Sequence, residues 1–286
     1  FLQIAPGEPI DVIVGNRRVS EETVTALKKQ YNLNKPVWMQ YLLWVQELVQ
    51  GDFGQSFVKN RPVRPLIVSR LPTTVALVVS STFVAIVLSV PSAIISAVKR
   101  DTKLDYFVTT VALIGQSSPV FLTAIIFVLV FSYWLGLLSA FSSSGSSFTI
   151  ANYLMPAVAL GAGISGLMFR MLRSGLLDVL AQDYMRTAHA MGIPVRMRIL
   201  KYAVKNALAP FFTVSGLLIG YLIVYTVLVE YVFAMAGIGS LLVEAVFSRD
   251  FPLVMGTVML ISAVFIVLNL IVDLLYGYFD PRIRYD

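Results

Sequence analysis

Long apolar stretches separated by polar or basic segments fill the chain from residue 71 onward. They cover about residues 71–98, 106–140, 153–170, 210–229 and 253–276. A helix needs about 20 apolar residues to cross the hydrocarbon core of a bilayer, and each stretch reaches or approaches that length. No Lys, Arg, Asp, Glu or His occurs from Tyr106 to Phe169, a pattern that a soluble core does not need. The pattern predicts an all-α integral membrane protein with five transmembrane helices.

Two of these stretches carry features that bear on how the helices are arranged. The second is interrupted by Gln116, Ser117, Ser118 and Pro119, which follow Gly115. A backbone break at membrane depth is tolerated only where it is packed in protein or lines a cavity. These four residues are therefore candidates for the substrate path, with a simple packing kink as the alternative. The third stretch is rich in small residues, which let helices approach closely: Gly161, Ala162, Gly163, Ser165 and Gly166.

Residues 1–70 are polar and mixed, and they contain two helical patterns. The first opens with Ser20 as N-cap, places Glu21 and Glu22 in the first turn, and ends near Asn32. Acidic side chains stabilise that end of a helix because the helix dipole is positive there.

The second pattern runs from Pro36 to Gln50 and includes Trp38, Tyr41 and Trp44. Such aromatic residues are typical of a helix at the membrane interface. A core helix of a small soluble cap would show the same pattern, so both interpretations stay open.

The chain opens on Phe1-Leu2-Gln3-Ile4 before Ala5-Pro6-Gly7, which is typical of the outer end of a membrane span. We therefore expect a sixth transmembrane helix to precede residue 1. Residues 1–70 would then form an extracytoplasmic segment.

Basic residues in short loops indicate which side of the membrane is cytoplasmic. One side carries twelve: Lys99, Arg100 and Lys103, seven between Arg170 and Lys205, and Arg282 with Arg284. The alternating short loops, 141–152 and 230–252, carry only Arg249. We therefore expect the loops around Lys103 and Gly192 to be cytoplasmic. Residues 1–70 can lie outside despite their own basic residues, because long segments translocate largely regardless of charge.

Composition argues against several functional classes. The 286 residues include no cysteine and one histidine, so we expect neither a disulfide framework nor a metal site. The net charge is +6, but the basic residues flank apolar stretches as orientation signals do, so nucleic acid is not an expected partner. An intramembrane enzyme would need a nucleophile, an acid–base pair or metal ligands at membrane depth. We expect no catalytic residue and no cofactor.

An energy source must also be accounted for if the protein transports a solute. No Gly-x-x-x-x-Gly-Lys-Ser/Thr phosphate-binding segment occurs in these residues, so ATP hydrolysis is expected from a partner. The alternative is an ion-coupled secondary transporter. Such proteins usually carry ionisable groups near the bilayer midplane and inverted repeats, and the uncharged stretch from Tyr106 supplies neither.

Residues 171–209 form the longest interruption among the stretches, and their pattern is helix, sharp turn, helix. One apolar face is expected to combine Leu176, Leu177, Leu180, Tyr184 and Ala188. Gly192-Ile193-Pro194 should stop the first helix and start the second. On the second helix, long basic side chains can reach anionic headgroups: Arg196, Arg198, Lys201 and Lys205. The small residues Thr187, Ala188, Ala190 and Gly192 would permit close approach by a partner.

This segment resembles the cytoplasmic loop of permeases of ATP-binding-cassette (ABC) importers. That loop carries a motif of Glu-Ala-Ala, three residues and Gly, and Arg186 to Gly192 fit its frame with Arg186 in place of Glu. The downstream Leu-Pro of the motif corresponds to Ala209-Pro210, which lies farther along than in the general pattern. These departures resemble the peptide/nickel branch, which usually begins the motif Tyr-x-Arg-Thr-Ala, as Tyr184 does here.

Further segments that resemble this branch occur in order along the whole chain: Ala5-Pro6-Gly7-Glu8-Pro9, Asn34-Lys35-Pro36-Val37-Trp38, Gly51-Asp52-Phe53-Gly54, Arg70-Leu71-Pro72, Arg249-Asp250-Phe251-Pro252 and Asp280-Pro281-Arg282. A chance match to one is easy, but a match to all is not. The resemblance implies a type I ABC importer permease fold over residues 71–286, with five transmembrane helices of an expected six. It also implies that residues 171–209 are the cytoplasmic coupling loop.

The resemblance further implies a function and a set of partners. The chain would form half of a pathway for peptides, nickel or other small solutes in a prokaryotic cell membrane. It would pair with a homologous second permease subunit, two cytoplasmic ATPase subunits and an extracytoplasmic substrate-binding protein. The implied ATPase-docking residues are Tyr184, Met185, Arg186, Thr187, Ala188, His189, Ala190, Met191, Gly192, Ile193 and Pro194.

Overall fold

The computed structural model describes residues 10, 21–30, 32, 34–136 and 150–279. Within these ranges the chain forms helices and no strand, apart from one isolated antiparallel bridge between Gln55 and Pro62. The all-α prediction is confirmed. The predicted N-cap Ser20, the opening residues 1–9 and the closing segment from residue 280 lie outside the described residues.

Five helices lie within the described residues from 21 to 136. They are α1 (Glu21–Gln30), α2 (Val37–Val49), α3 (Val63–Val98), α4 (Lys103–Ser117) and α5 (Val120–Phe127). A π-helical segment, Val128–Trp134, continues α5.

Six helices lie within residues 150–279. They are α6 (Ile150–Leu180), α7 (Asp183–Ala190), α8 (Val195–Met197), α9 (Lys205–Val232), α10 (Ile238–Phe247) and α11 (Phe251–Phe279). A second π-helical segment, Arg198–Val204, joins α8 to α9.

In the part of the chain that the structure describes, four helical segments are long and apolar enough to cross a membrane: Val63–Val98, Asn152–Leu180, Ser215–Val232 and Phe251–Val272. Lys103–Ser117 and Val120–Trp134 form a fifth span if they are counted together, although the two helices are bent by 103° at their break. The predicted interruption at residues 115–119 is thus a helix boundary. It is followed by a sharp change in direction rather than a mild kink.

Helix boundaries differ from the predicted ones around residues 171–209. Helix α6 continues past Arg170 to Leu180, because a charged side chain can end an apolar stretch without ending the helix. The single face predicted to run from Leu176 to Ala188 is wrong. The chain leaves the helix at Gln182, whose extended backbone (φ −70°, ψ 149°) makes it the N-cap of α7.

The chain divides into two compact units. The first comprises residues 1–74 and 236–263 and is built around an apolar core: Val63, Ile67, Leu241, Ala245, Leu253 and Val254. Helix α2 contributes no buried residue, and Trp38 and Tyr41 are exposed. The interpretation of α2 as the core helix of a soluble cap is therefore wrong.

The second unit comprises residues 75–235 and 264–286, and α6 makes close helix contacts within it. A Cβ atom on Gly161 would lie 2.6 Å from the backbone oxygen of Ser81 on α3. One on Gly166 would lie 2.3 Å from the backbone oxygen of Ala112 on α4. The prediction that small residues bring helices together is confirmed at these two positions.

Candidate docking element

Helix α7 carries the residues predicted to dock an ATPase, and one of its faces is anchored in the second unit. Met185 is 5% exposed and Ala188 is 6% exposed. Asp183 lies in the first turn, where the helix dipole favours a negative charge. Because Met185 and Ala188 are buried, they support the element and are not available to a partner.

The opposite face of α7 is exposed. It presents Tyr184, Arg186, Thr187, His189, Ala190 and Met191. Arg186 Nη1 lies 3.5 Å from Asp183 Oδ1, and both side chains are mostly in solvent, so this ion pair contributes little to stability. The result is a small, polar surface bordered by Met191, which is 73% exposed.

The end of α7 is closed by two backbone hydrogen bonds. The Ile193 N–H donates to the Ala188 carbonyl over 3.2 Å, and the Gly192 N–H donates to the His189 carbonyl over 3.0 Å. Together they form a Schellman motif, in which the residue after the C-cap adopts a left-handed conformation. Gly192 has φ +73°, and a Cβ atom there would meet nothing within 4 Å. Glycine at this position therefore serves the backbone turn rather than a close contact within the chain.

A second connection holds α7 against the helix that follows it. Pro194 is the N-cap of α8, so a helix starts where the sequence predicted one. Asn206 Nδ2 donates to Tyr184 Oη over 3.1 Å and to the Tyr202 carbonyl over 2.8 Å. Helix α7 is thus tied to the start of α9 as well as to the interior of the unit.

The predicted substrate-path residues lie at the boundary between α4 and α5. Ser117 and Pro119 are exposed, and Pro119 is the N-cap of α5. The Ser118 hydroxyl donates to the Ile114 carbonyl over 2.9 Å. The Gln116 side chain packs at α6, where its Cβ would be 2.9 Å from a Cβ on Gly166. The four residues therefore do not share one environment.

A buried ion pair in the second unit was not singled out from the sequence. Asp105 on α4 is 2% exposed, and Arg173 on α6 donates to both of its carboxylate oxygens, over 3.1 Å from Nε and 2.8 Å from Nη2. The Ser96 hydroxyl, near the end of α3, donates to Asp105 and accepts from Arg173 Nε over 2.7 Å. The only signal in the sequence is Thr102, the N-cap of α4, three residues before Asp105.

Solved structures with the same fold come from ABC transporters. A chain of the MetNI methionine ABC transporter, in inward-facing conformations, matches 75% of this chain and 96% of its own length, with a TM-score of 0.64 and 16% identity. A chain of an amino acid ABC transporter matches 77% of this chain and 95% of its own length, with a TM-score of 0.56 and 16% identity. The fold is therefore that of an ABC importer permease.

Family models cover almost the whole sequence. Residues 89–285 match the model described as "Binding-protein-dependent transport system inner membrane component". Residues 1–78 match the model of the N-terminal part of such membrane components. The chain belongs to this family of inner-membrane permease components of binding-protein-dependent ABC importers. It is thus a multi-pass membrane protein and a transport subunit rather than an enzyme.

Full-length relatives support the same branch. A provisionally named peptide permease of Brucella suis biovar 1 (strain 1330) is 38% identical over 99% of this chain and 92% of its own length. The glutathione transport system permease protein GsiC of Escherichia coli (strain K12) is 36% identical over 100% of this chain and 92% of its own length. Permeases of this family work with ATPase and binding-protein partners in general.

Proposed function

We propose that this chain forms half of the translocation pathway of an ATP-driven peptide importer, and that α7 with its closing turn engages an ATPase subunit. The observation that carries the docking role is the two-sided character of α7. One face is anchored through Met185 and Ala188, whereas Thr187 and Ala190 are exposed. The other half of the pathway would come from a homologous second permease subunit.

Nucleotide-driven closure of two cytoplasmic ATPase subunits would move the docking element. Helix α6 leads into it and α9 leads out of it, so both helices would follow. Interfaces and packed cores switch between discrete arrangements, which is how such a movement could open a cavity towards an extracytoplasmic binding protein.

A bulky substitution at the exposed face tests the docking role. Ala190→Trp adds a large side chain without a charge, whereas Ala236→Trp places the same side chain at an exposed position of the first unit. In the complete importer, Ala190→Trp should lower the amount of co-purified ATPase about tenfold, which corresponds to about 1.4 kcal/mol of association. Normal co-purification and normal substrate-stimulated ATPase activity for Ala190→Trp would refute the docking assignment.

The cargo proposal draws on the relatives, which are named for peptides and for glutathione. Uptake of labelled dipeptide, tripeptide and nickel chelate should be compared in cells with the complete importer and in cells that lack only this chain. We expect loss of peptide uptake. Loss of nickel uptake alone would instead assign a metal chelate as cargo.

The residues Gln116, Ser117, Ser118 and Pro119 are proposed to line the path. The support is their position at a 103° break, where α4 ends at Ser117 and α5 begins at Val120. Because the chain has no cysteine, Ser117→Cys can be labelled selectively within it. Cargo should slow labelling at position 117 but not at Val111→Cys, an exposed control on α4. Equal labelling rates with and without cargo would remove Ser117 from the path.

A further inference from the structure

We propose that Asp105, Arg173 and Ser96 form a positioning clamp that couples the docking element to the helical bundle. The clamp would make the C-terminal end of α6, which carries Arg173, move together with the end of α3 and the start of α4 when α7 is displaced. This inference rests on the docking role of α7 proposed above, but it concerns transmission rather than ATPase binding.

The geometry of the clamp favours a rigid connection. Arg173 contacts Asp105 through a two-point fork, which fixes orientation as well as distance. The Asp101 N–H donates to Asp105 Oδ2 over 3.1 Å, and the Thr109 hydroxyl lies 3.4 Å from Oδ1. Both carboxylate oxygens are therefore served by several donors, the condition under which a buried ion pair is well compensated.

The clamp also lies at the right place along α6. Arg173 precedes the helix end at Leu180 by about two turns, or roughly 10 Å at 1.5 Å per residue. Between them, Gly175 lies against α9, since a Cβ there would be 3.7 Å from Ala207 Cβ. Leu176 is 1% exposed. The last turns of α6 are thus held on two sides just before the chain enters α7.

An ion pair that only stabilised the fold would leave a different signature. Its weakening would lower the yield or thermal stability of the importer, yet each assembled complex would couple normally. A clamp that transmits movement should instead lower the response to substrate in complexes that still contain their ATPase subunits. The ratio of substrate-stimulated to basal ATPase activity separates the two roles.

The test uses the complete importer, reconstituted with its ATPase subunits and loaded binding protein. Arg173→Lys keeps the charge but loses the fork, and Ser96→Ala removes the bridging hydroxyl. Both should retain wild-type co-purification of the ATPase and lower the stimulated-to-basal ratio at least about fivefold, the lower end of typical couplings between sites. Ser96→Thr, which keeps the hydroxyl, should restore much of the ratio.

Asp101→Asn is the matched control. Asp101 lies in the loop between α3 and α4, and only its backbone N–H, which asparagine keeps, donates to Asp105. Its side chain pairs with Arg100, and both of these side chains are mostly exposed. Asparagine also tolerates the positive φ of 61° at this position. A wild-type ratio in Arg173→Lys and Ser96→Ala, at normal or at reduced yield, would overturn the clamp. Normal ATPase binding by Ala190→Trp would overturn the docking role instead, so the two failures are distinguishable.

Discussion

Each unit of this protein buries an aspartate at the start of a helix, but the two carboxylates are satisfied by different donors. In the second unit, Asp105 faces the guanidinium of Arg173. In the first unit, Asp250 is fully buried before α11 and accepts from the Ser56 hydroxyl and from the backbone N–H groups of Phe57, over 3.1 Å, and Val58, over 3.2 Å. These donors are neutral, as is the Leu253 N–H, which donates to Asp250 Oδ1 over 3.4 Å from the first turn of α11.

The difference separates two uses of a buried charge. A guanidinium on another helix ties distant segments together, and its removal leaves a carboxylate without its cation. Backbone and hydroxyl donors also tie Asp250 to residues 192–194 positions away in the chain, but they carry no charge, and a neutral amide can replace part of what the carboxylate accepts. We therefore expect the first unit to tolerate neutralisation of its aspartate better than the second tolerates loss of its arginine.

The largest effect should follow Arg173→Ala. Breaking a buried ion pair by removing one partner costs about 3–5 kcal/mol, and the lower end applies because the Arg173 side chain is 25% exposed. The free energy of unfolding of the purified chain, from a denaturant titration in mixed micelles, measures this loss. Arg100→Ala, at a mostly exposed pair, is the control. A loss below about 1 kcal/mol for Arg173→Ala would mean that the buried pair behaves like a surface one.

A smaller loss is expected for Asp250→Asn. The amide keeps one acceptor oxygen but presents an NH₂ group to donors at the other position, so at least one charge-assisted hydrogen bond is lost. Such a bond contributes about 1.5–3 kcal/mol, and we expect a loss of about 2 kcal/mol in the same titration. A loss that equals or exceeds that of Arg173→Ala would contradict the comparison.

Two helix ends sharpen the comparison at the level of single turns. The residue after the C-cap is left-handed in both α7 and α10: Gly192 has φ +73°, and Arg249, which immediately precedes Asp250, has φ +55°. Left-handed backbone costs a residue with a Cβ roughly 1 kcal/mol, so Gly192→Ala should destabilise α7 by about that amount. Gly192→Asn should cost less, because asparagine tolerates this conformation. Hydrogen exchange at the amides of α7 would report the difference. Exchange as slow as in the wild-type chain in both variants would show that the turn does not require glycine.

Most of the fold was predictable because apolar stretches and helix-ending residues act locally. Gly192 and Pro194 marked the turn after α7, and the break before Pro119 appeared where it was predicted. The end of α6 was not predictable in the same way. The sequence at Ala181-Gln182 contains neither glycine nor proline, so only the extended backbone of Gln182 reveals that α6 and α7 are separate.

The predicted docking residues and the clamp also differ in whether the local sequence reveals them. The residues from Tyr184 to Pro194 are contiguous, so a motif could identify them, although their assigned role stays a prediction. Asp105 and Arg173 are 68 positions apart, and nothing local to either residue specifies the other among the basic residues of the chain. Burial of Met185 and Ala188 likewise depends on tertiary packing. The helical pattern placed Ala188 on the apolar face but not Met185, and it assumed one unbroken helix.

The smallest effect should come from Glu244→Gln in the first unit. Lys59 Nζ lies 2.9 Å from Glu244 Oε1, close to the 2.8 Å between Arg173 Nη2 and Asp105 Oδ2, but the two side chains are 26% and 52% exposed. Solvent screens such a pair, and exposed pairs contribute about 0.2–1 kcal/mol. We therefore expect Glu244→Gln to lower the free energy of unfolding by less than about 1 kcal/mol. This effect should become smaller still at high salt, because mobile ions screen the pair. Lys59→Gln should give a similar value, as each variant removes the same attraction and leaves its partner accessible to water. A loss above about 2 kcal/mol in either variant would mean that side-chain exposure does not rank the ion pairs of this protein.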